Sequence, residues 1–155
     1  MNLKNVILYC GIIVMAIACA SQKNQPPKLL MEMSRSSCMG VCPVYIMQIY
    51  DNGLVQLVGE KNIEQIGTYK AMLTSEELIA LKKQFDEIDF FTLEDEYVKR
   101  VSDLPTTYIS YTLGDQTKRI KDYYGAPEGL KNLENYIQNY LKELKWDSTE
   151  EVENE

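Results

Sequence analysis

The sequence of 155 residues contains no histidine. Histidine is the commonest general base and the usual partner of a catalytic serine, so chemistry of that kind is not available to the chain. A zinc site normally takes four ligands from Cys, His and acidic side chains, and the two cysteines that would remain after the processing predicted below are an incomplete set. Glycine-rich phosphate-binding loops are also missing, so nucleotide binding has no support. We therefore predict no metal, no cofactor and no catalytic residue, and we favour a non-enzymatic role over an enzymatic one.

Basic residues are scarce as well. Lys and Arg number 16 against 23 Asp and Glu, which gives a formal net charge of -7. A nucleic-acid-binding surface needs clustered Lys and Arg to neutralise phosphates, so we expect no nucleic-acid partner. The negative charge also provides no attraction to an anionic lipid surface. Attachment to a membrane would therefore require a covalent or inserted anchor.

Only one long apolar run is present. Residues 6–18 carry no charge and follow Lys4, and the run is too short for a spanning helix, which needs roughly 20 residues. A basic start, a short apolar core and small residues at its end predict an export signal over residues 1–18. The letters AIAC, which end at Cys19, resemble the lipobox of bacterial lipoproteins. We therefore predict lipid attachment at Cys19, with a plain secretory signal or an uncleaved anchor as the alternatives.

The chain has only four cysteines, and this processing would give them different fates. Cys10 leaves with the signal and Cys19 takes the lipid, so Cys38 and Cys42 remain in an oxidising compartment. An even pair close in sequence predicts one disulfide, which by loop entropy is worth about 2 kcal/mol. Redox motifs usually have two intervening residues and an activated thiolate, whereas here three residues intervene. A structural bridge is favoured, and thiol–disulfide exchange is the alternative.

The composition divides the rest of the chain into three parts. Residues 19–28 are polar and include Pro26 and Pro27, which predicts a tether between the lipid and the folded part. Residues 29–146 are predicted to form a single domain, since their length suits one hydrophobic core. Residues 147–155 carry five acids and no base, which predicts a solvated acidic tail.

Hairpin signals dominate the first half of the domain. Residues 43–50 and 54–60 are rich in Val, Ile, Leu and Tyr, and Asn52-Gly53 between them is a strong turn signal. A two-residue turn there predicts that Tyr50 lies opposite Val55. Residues 65–73 predict a third strand that continues the meander.

Helix signals follow each group of strands. Thr74 and Glu77 have the spacing of a capping box, and an apolar stripe with helical spacing comes after them. A second hairpin, residues 106–113 and 116–123, turns at Gly114-Asp115 and places Ile109 opposite Ile120. Pro127, a favoured first helical residue, then opens a second helix. The predicted class is α+β: an antiparallel sheet of about five strands (meander, helix, hairpin, helix) covered by two helices.

The segment CMGVCPVY, from Cys38 to Tyr45, has the pattern C-x-G-x-C-P-x-Y. Weaker matches follow it in order: Asp51-x-Gly53, Gly59, Gly67, Asp103-x-Pro105 and the segment DYYGAP of residues 122–127. Together they resemble an uncharacterised domain family found in lipoproteins and secreted proteins, mostly of the Bacteroidota. The resemblance covers residues 30–141 and implies an envelope location and a fold like the one above. It implies no activity.

Tyrosine is the one abundant residue type with binding potential, because its ring is large and rigid and carries a hydroxyl. If the domain has a ligand or partner face, we predict it around these residues: Tyr45, Arg100, Asp103, Tyr108, Tyr123 and Tyr124. Ordinary packing of the tyrosines and a loop-capping role for Asp103 are the alternatives. The acidic run Glu94-Asp95-Glu96 is predicted to be an exposed loop.

We therefore expect a non-enzymatic accessory lipoprotein, bound to a membrane through Cys19, whose domain binds an unknown envelope protein. The alternatives are a thiol–disulfide enzyme using Cys38 and Cys42, an acid-dependent hydrolase, and a small-ligand binder. Surface-exported lipoproteins of the Bacteroidota often carry acids just after the lipidated cysteine, and residues 20–24 have none. This favours the outer membrane with the domain facing the periplasm.

Overall fold

The computed structural model of the chain describes residues 26–99, 101 and 103–149. The predicted signal, Cys19, most of the tether, Arg100 and residues 150–155 lie outside the described part. The elements are β1 (Leu29–Arg35), β2 (Val44–Tyr50), β3 (Leu54–Lys61), β4 (Gly67–Met72), α1 (Ser75–Glu87), a 3-10 turn (Phe90–Thr92), β5 (Glu96–Tyr97), β6 (Thr107–Leu113), β7 (Gln116–Asp122), α2 (Glu128–Glu143) and β8 (Asp147–Ser148).

All eight strands join one sheet in the order β5-β7-β6-β1-β2-β3-β4-β8. The α+β class with two helices is confirmed, but the prediction of about five strands is wrong. The sheet is also not purely antiparallel, because β5 runs parallel to β7. The two edge strands β5 and β8 have only two residues each, too few to show an alternating pattern.

Strand β1 connects the two predicted hairpins into one sheet. It pairs with β2 on one side and β6 on the other, both antiparallel. Met31 and Met33 point into the core and are 1% and 0% exposed. The sequence did not predict this strand because its apolar residues are Leu and Met, which favour helices over strands.

The first hairpin has a longer loop than predicted. Ile49 lies opposite Val55, so the predicted pairing of Tyr50 with Val55 is wrong by one residue. The reason is a three-residue loop in which Gly53 adopts a φ of 87°. The second hairpin keeps its two-residue turn, and the predicted pairing of Ile109 with Ile120 is confirmed.

Helix α1 begins with the predicted capping box. The Thr74 side chain accepts a hydrogen bond from the Glu77 amide at 3.2 Å, and the Glu77 carboxylate accepts one from the Thr74 amide at 2.7 Å. Leu81 and Phe85 on this helix are buried. Phe85 stacks on Tyr111 of β6 with 4.0 Å between ring centroids, which attaches the helix to the sheet.

Helix α2 begins one residue later than predicted, since Pro127 is its N-cap and Glu128 its first helical residue. The apolar residues that face the sheet from this helix are buried, namely Leu130, Leu133, Ile137 and Leu141. Both helices pack into one core cluster on the same face of the sheet. Within the described residues no helix is long and apolar enough to span a membrane.

The opposite face of the sheet is uncovered in the described part of the chain. Its side chains pair across the strands, as where the Gln48 amide donates to the Glu32 carboxylate at 2.8 Å. The Arg119 guanidinium carbon lies 4.7 Å from the centroid of the Tyr108 ring. Cross-strand pairs of this kind stabilise the sheet without a covering layer.

The short edge strands cover only part of the strands next to them. Strand β8 covers Tyr69 and Lys70 of β4, and the Thr149 amide donates to the Thr68 carbonyl at 2.9 Å. The predicted acidic tail therefore starts as a sheet strand at Asp147 and stays attached as far as Thr149. Strand β5, by contrast, pairs with β7 only at Lys121 and Asp122, so residues 116–120 of β7 have no strand beside them on that side in the described part of the chain.

Candidate functional site

The connections at one end of the sheet carry the disulfide and several of the predicted site residues. Strands β1, β3 and β7 end there, and β2, β4 and β6 begin there. Four connections therefore meet at this edge, namely residues 36–43, 62–66, 98–106 and 123–127. We call this edge the loop end. The hairpin turns at Gly53 and Gly114 lie at the opposite end.

The predicted bridge between Cys38 and Cys42 is present and closes a five-residue ring at the loop end. The two Cα atoms are 5.8 Å apart. Inside the ring the Gly40 amide donates to Cys38 Sγ at 3.2 Å. The Asn62 side chain donates to the Cys42 carbonyl at 2.9 Å. The ring is thus closed covalently and attached to the β3–β4 connection.

The ring presents two apolar side chains to solvent. Met39 is 84% exposed and Val41 is 86% exposed. The bridge removes much of the backbone freedom of these residues before any contact is made, so less entropy is lost when they are buried. Side chains of this kind on a constrained loop have the properties of a docking point for an apolar pocket.

We expect the double substitution Cys38→Ser with Cys42→Ser to destabilise the domain by about 2 kcal/mol, because the open chain gains loop entropy. Chemical denaturation monitored by circular dichroism measures this change. The single substitution Met39→Ser leaves the bridge intact and serves as the control, with stability unchanged. If the double variant were as stable as the parent, the ring would have no structural role and exchange chemistry would be favoured.

A buried polar cluster lies beneath the loop end, between β7 and α2. Asp122 is 3% exposed and Glu134 is 6% exposed. Lys131 Nζ donates to Asp122 Oδ2 at 2.8 Å and to Glu134 Oε2 at 2.7 Å. Two buried carboxyl groups therefore share one ammonium group. Breaking such an arrangement is costly because it leaves an uncompensated buried charge.

The cluster raises the pKa values of Glu134 and Lys131. Burial raises the pKa of Glu134 to about 7, and the negative charge of Asp122 adds to the rise while Lys131 opposes it. Burial alone would lower the pKa of Lys131, but its hydrogen bonds to Asp122 and Glu134 outweigh that effect and the pKa is raised. Glu134 therefore titrates near neutral pH.

A second polar group extends the cluster towards the ring. The Arg35 guanidinium donates to the Gln138 side chain on α2. Arg35 pairs across the strands with Tyr45, whose ring is 1% exposed. Burial raises the pKa of Tyr45, and the Arg35 charge opposes the rise. Among the described side chains, Tyr45 Oη, Arg35 Nε, Asp122 Oδ1 and Glu134 Oε1 are buried without a hydrogen-bond partner.

The structure does not place the predicted tyrosine face on one surface. Tyr45 belongs to the core beneath the helices, and Tyr108 lies on the uncovered face. Both line a hollow of about 360 Å³ at the loop end, together with Ser34, Ile46 and Lys61. Tyr45 contributes little accessible surface to it.

The remaining predicted residues lie on the connections beside β7. Tyr123 donates from its hydroxyl to the Val101 carbonyl at 2.8 Å. Tyr124 is 45% exposed, and Lys99 Nζ lies 5.8 Å from its ring centroid. Asp103 is exposed and adopts a φ of 70°. The partner role of these residues stays a prediction.

The acidic run Glu94-Asp95-Glu96 is exposed, and its last two members pair with β7. Lys118 Nζ lies 2.7 Å from Asp95, and Lys121 Nζ lies 4.0 Å from Glu96. In the described part of the chain no group of three His, Cys, Asp or Glu side chains is placed to hold a metal ion.

The buried cluster was missed by the sequence analysis, although a signal was present. Glu134 lies within the apolar stripe of α2, next to Leu133, and Lys131 precedes it by three residues. A glutamate on the buried face of a helix, with a lysine three residues before it, predicts a polar partner on the packed strand. Arg35 and Gln138, by contrast, are 103 residues apart and gave no local signal.

A family model described as a domain of unknown function, DUF6438, matches residues 29–141. The chain belongs to the DUF6438 family. The DUF6438 domain contains the cysteine ring, the buried cluster, β1 to β7 and most of α2, whereas β8 lies beyond it. The resemblance to an uncharacterised family is thereby confirmed at the level of a domain of unknown function. No curated protein matches the chain.

Proposed function

We propose that the chain is a lipid-anchored protein of the bacterial cell envelope whose DUF6438 domain binds another envelope protein and catalyses no reaction. The lipid would be attached at Cys19, and the domain would face the periplasm from the outer membrane. The leader and the AIAC segment of the sequence support the anchor. The cysteine ring supports the binding role, because it presents two apolar side chains to solvent. Met39 is 84% exposed and Val41 is 86% exposed.

A protein pocket suits these two side chains better than a lipid surface does. The tether joins the domain at the start of β1, whereas the ring follows the end of β1, about 23 Å further along the strand. The ring therefore lies at the end of the sheet away from the attachment point. The net charge of -7 also disfavours contact with anionic lipid. Residues 36–43 carry no charge, so an uncharged apolar pocket is the matching surface.

The anchor is tested by labelling cells with radioactive palmitate. The parent chain should incorporate label and lose residues 1–18, as determined by mass analysis of the mature N-terminus. Cys19→Ser should abolish labelling, because the acyl groups need that sulfur. Cys10→Ser is the matched control, and it should label normally because Cys10 lies within the predicted signal. Equal labelling of both variants would contradict attachment at Cys19.

Partner binding is tested with a photocrosslinking amino acid at position 39 of the full chain in intact cells. We expect one dominant protein adduct from position 39 and none from position 115, which lies at the opposite end of the sheet. The partner, once purified, should bind the double variant Met39→Ser with Val41→Ser at least tenfold more weakly, because two apolar anchors are lost.

Three results would contradict the partner role. Adducts only with lipid would identify the ring as a membrane contact. Equal adducts from positions 39 and 115 would show unspecific encounters. Turnover of a thiol substrate by purified protein would favour the redox alternative, which the Gly40 amide supports because it would stabilise a Cys38 thiolate.

A further inference from the structure

A cleft next to the cysteine ring has the features of a peptide-binding groove. It has a volume of about 350 Å³ and lies between the β3–β4 connection and helix α2. Pro43, which follows the ring directly, forms part of its wall. The cleft therefore begins directly after the ring, although Met39 and Val41 do not line it.

The walls of the cleft are fixed by the fold. The Gln65 side chain donates to the Leu141 carbonyl of α2 at 3.2 Å, and Asn62 is bound to the Cys42 carbonyl. A Cβ atom on Gly59 would lie 1.7 Å from the Gln65 carbonyl oxygen, so the connection packs directly on β3. The groove is thus formed before a ligand arrives, which reduces the cost of binding.

The polar residues of the lining are mostly neutral amides. Asn62, Gln65, Gln138 and Asn139 each have both a donor and an acceptor in the side chain. Peptide backbone likewise offers a donor and an acceptor at nearly every residue, so amides match it without regard to sequence. Three of the four already make one bond within the domain and keep capacity for another.

The other lining residues indicate what the peptide side chains would be. Pro43, Ile63 and Leu141 supply apolar wall. Glu64 and Lys142 line the same cleft and their opposite charges cancel. The cleft therefore has no excess positive charge that would favour a phosphate or another strong anion. An apolar side chain between charged ones would fit this arrangement.

We propose that this cleft binds an extended peptide segment of the partner protein, with one apolar residue held by Pro43, Ile63 and Leu141. The inference rests on the proposed partner-binding function and adds the chemistry of the partner. Hydrogen bonds from the peptide main chain to the side-chain amides supply affinity, and the apolar pocket supplies specificity.

The test uses a phage library of random heptapeptides, selected on the mature full-length protein with its bridge intact. We expect enrichment of peptides with a central Leu, Ile, Val or Met, and the best synthetic peptide should bind the parent measurably. Asn139→Ala should weaken that peptide about fivefold, the cost of one neutral hydrogen bond. Asn135→Ala is the matched control, because Asn135 is exposed on the same helix and does not line the cleft.

Each outcome separates the two proposals. No enrichment, or equal weakening by Asn135→Ala and Asn139→Ala, would overturn the peptide cleft. A partner that loses affinity with Met39→Ser and Val41→Ser but not with Asn139→Ala would leave the ring as docking point and refute the cleft. Peptide binding through Asn139 with no protein adduct from position 39 would support the cleft and refute the proposed role of the ring.

Discussion

Replacing Gly59 by alanine should destabilise the domain by about 4 kcal/mol, at the high end of what a single methyl group causes. The added Cβ would lie 1.7 Å from the Gln65 carbonyl oxygen and 2.6 Å from Ile63 Cδ1. The first contact is with backbone, which cannot rotate away as a side chain can. The whole β3–β4 connection would have to move outwards.

Urea denaturation of the parent and the variant measures this loss. Gly40→Ala is the matched control, because a Cβ there would meet only Cys38 Sγ at an ordinary 3.8 Å. Its stability should stay within about 0.5 kcal/mol of the parent. A Gly59→Ala variant as stable as Gly40→Ala would show that the connection packs differently from the structure described above.

The same substitution also bears on the peptide cleft. Because Gln65 and Ile63 line the cleft, any backbone shift that accommodates alanine at position 59 widens or closes it. A Gly59→Ala protein that still folds at low temperature should therefore bind the selected peptide more weakly. Stability and binding are coupled here through one close backbone contact.

Local signals predicted the parts of the fold that depend on neighbouring residues. The capping box of Thr74 and Glu77 spans four residues and was confirmed. The two-residue turn at Gly114 gave the right register for the second hairpin. The first hairpin failed because Asp51-Asn52-Gly53 can form a loop of two or three residues, and only the packing of both sheet faces selects one.

The strands that the sequence did not predict depend on contacts between distant segments. Strand β1 is a strand because β2 and β6 offer it two edges, not because of its own residues. Strand β8 exists because Trp146 and the end of α2 bring Asp147 to β4. Such tertiary effects override the local preference, so a single sequence does not reveal them.

The candidate site likewise has one part that local sequence signals predicted and one part that only the fold brings together. The ring was predictable, since Cys38 and Cys42 are close in sequence, and the predicted processing would remove Cys10 and modify Cys19 with lipid. The buried cluster joins β1, β2, β7 and α2, and only the fold brings Arg35 near Gln138 and Asp122 near Lys131. Its members are therefore best tested by an effect that depends on their shared burial.

That effect is the pH dependence of stability. The pKa of Glu134 is about 7 in the folded protein and 4.5 as its ordinary value, so the folded state binds an extra proton between these values. The contribution of Glu134 to the free energy of unfolding is present in full below pH 4.5 and is lost as the pH rises through 7. The pKa is also raised for Lys131, Tyr45, Tyr111 and Tyr140. The ordinary pKa of each of these groups is 10 or above, so they titrate outside this pH range.

We expect the loss to reach about 3 kcal/mol between pH 4 and pH 9, and Glu134→Gln should remove it because a neutral amide has no proton to release. The variant should match the parent near pH 4 and exceed it at pH 8. Urea denaturation at a series of pH values measures both curves. Glu143→Gln, an exposed acid on the same helix, should leave the slope unchanged. Parallel curves for the parent and Glu134→Gln would mean that Glu134 stays charged across the window, with Lys131 outweighing its burial.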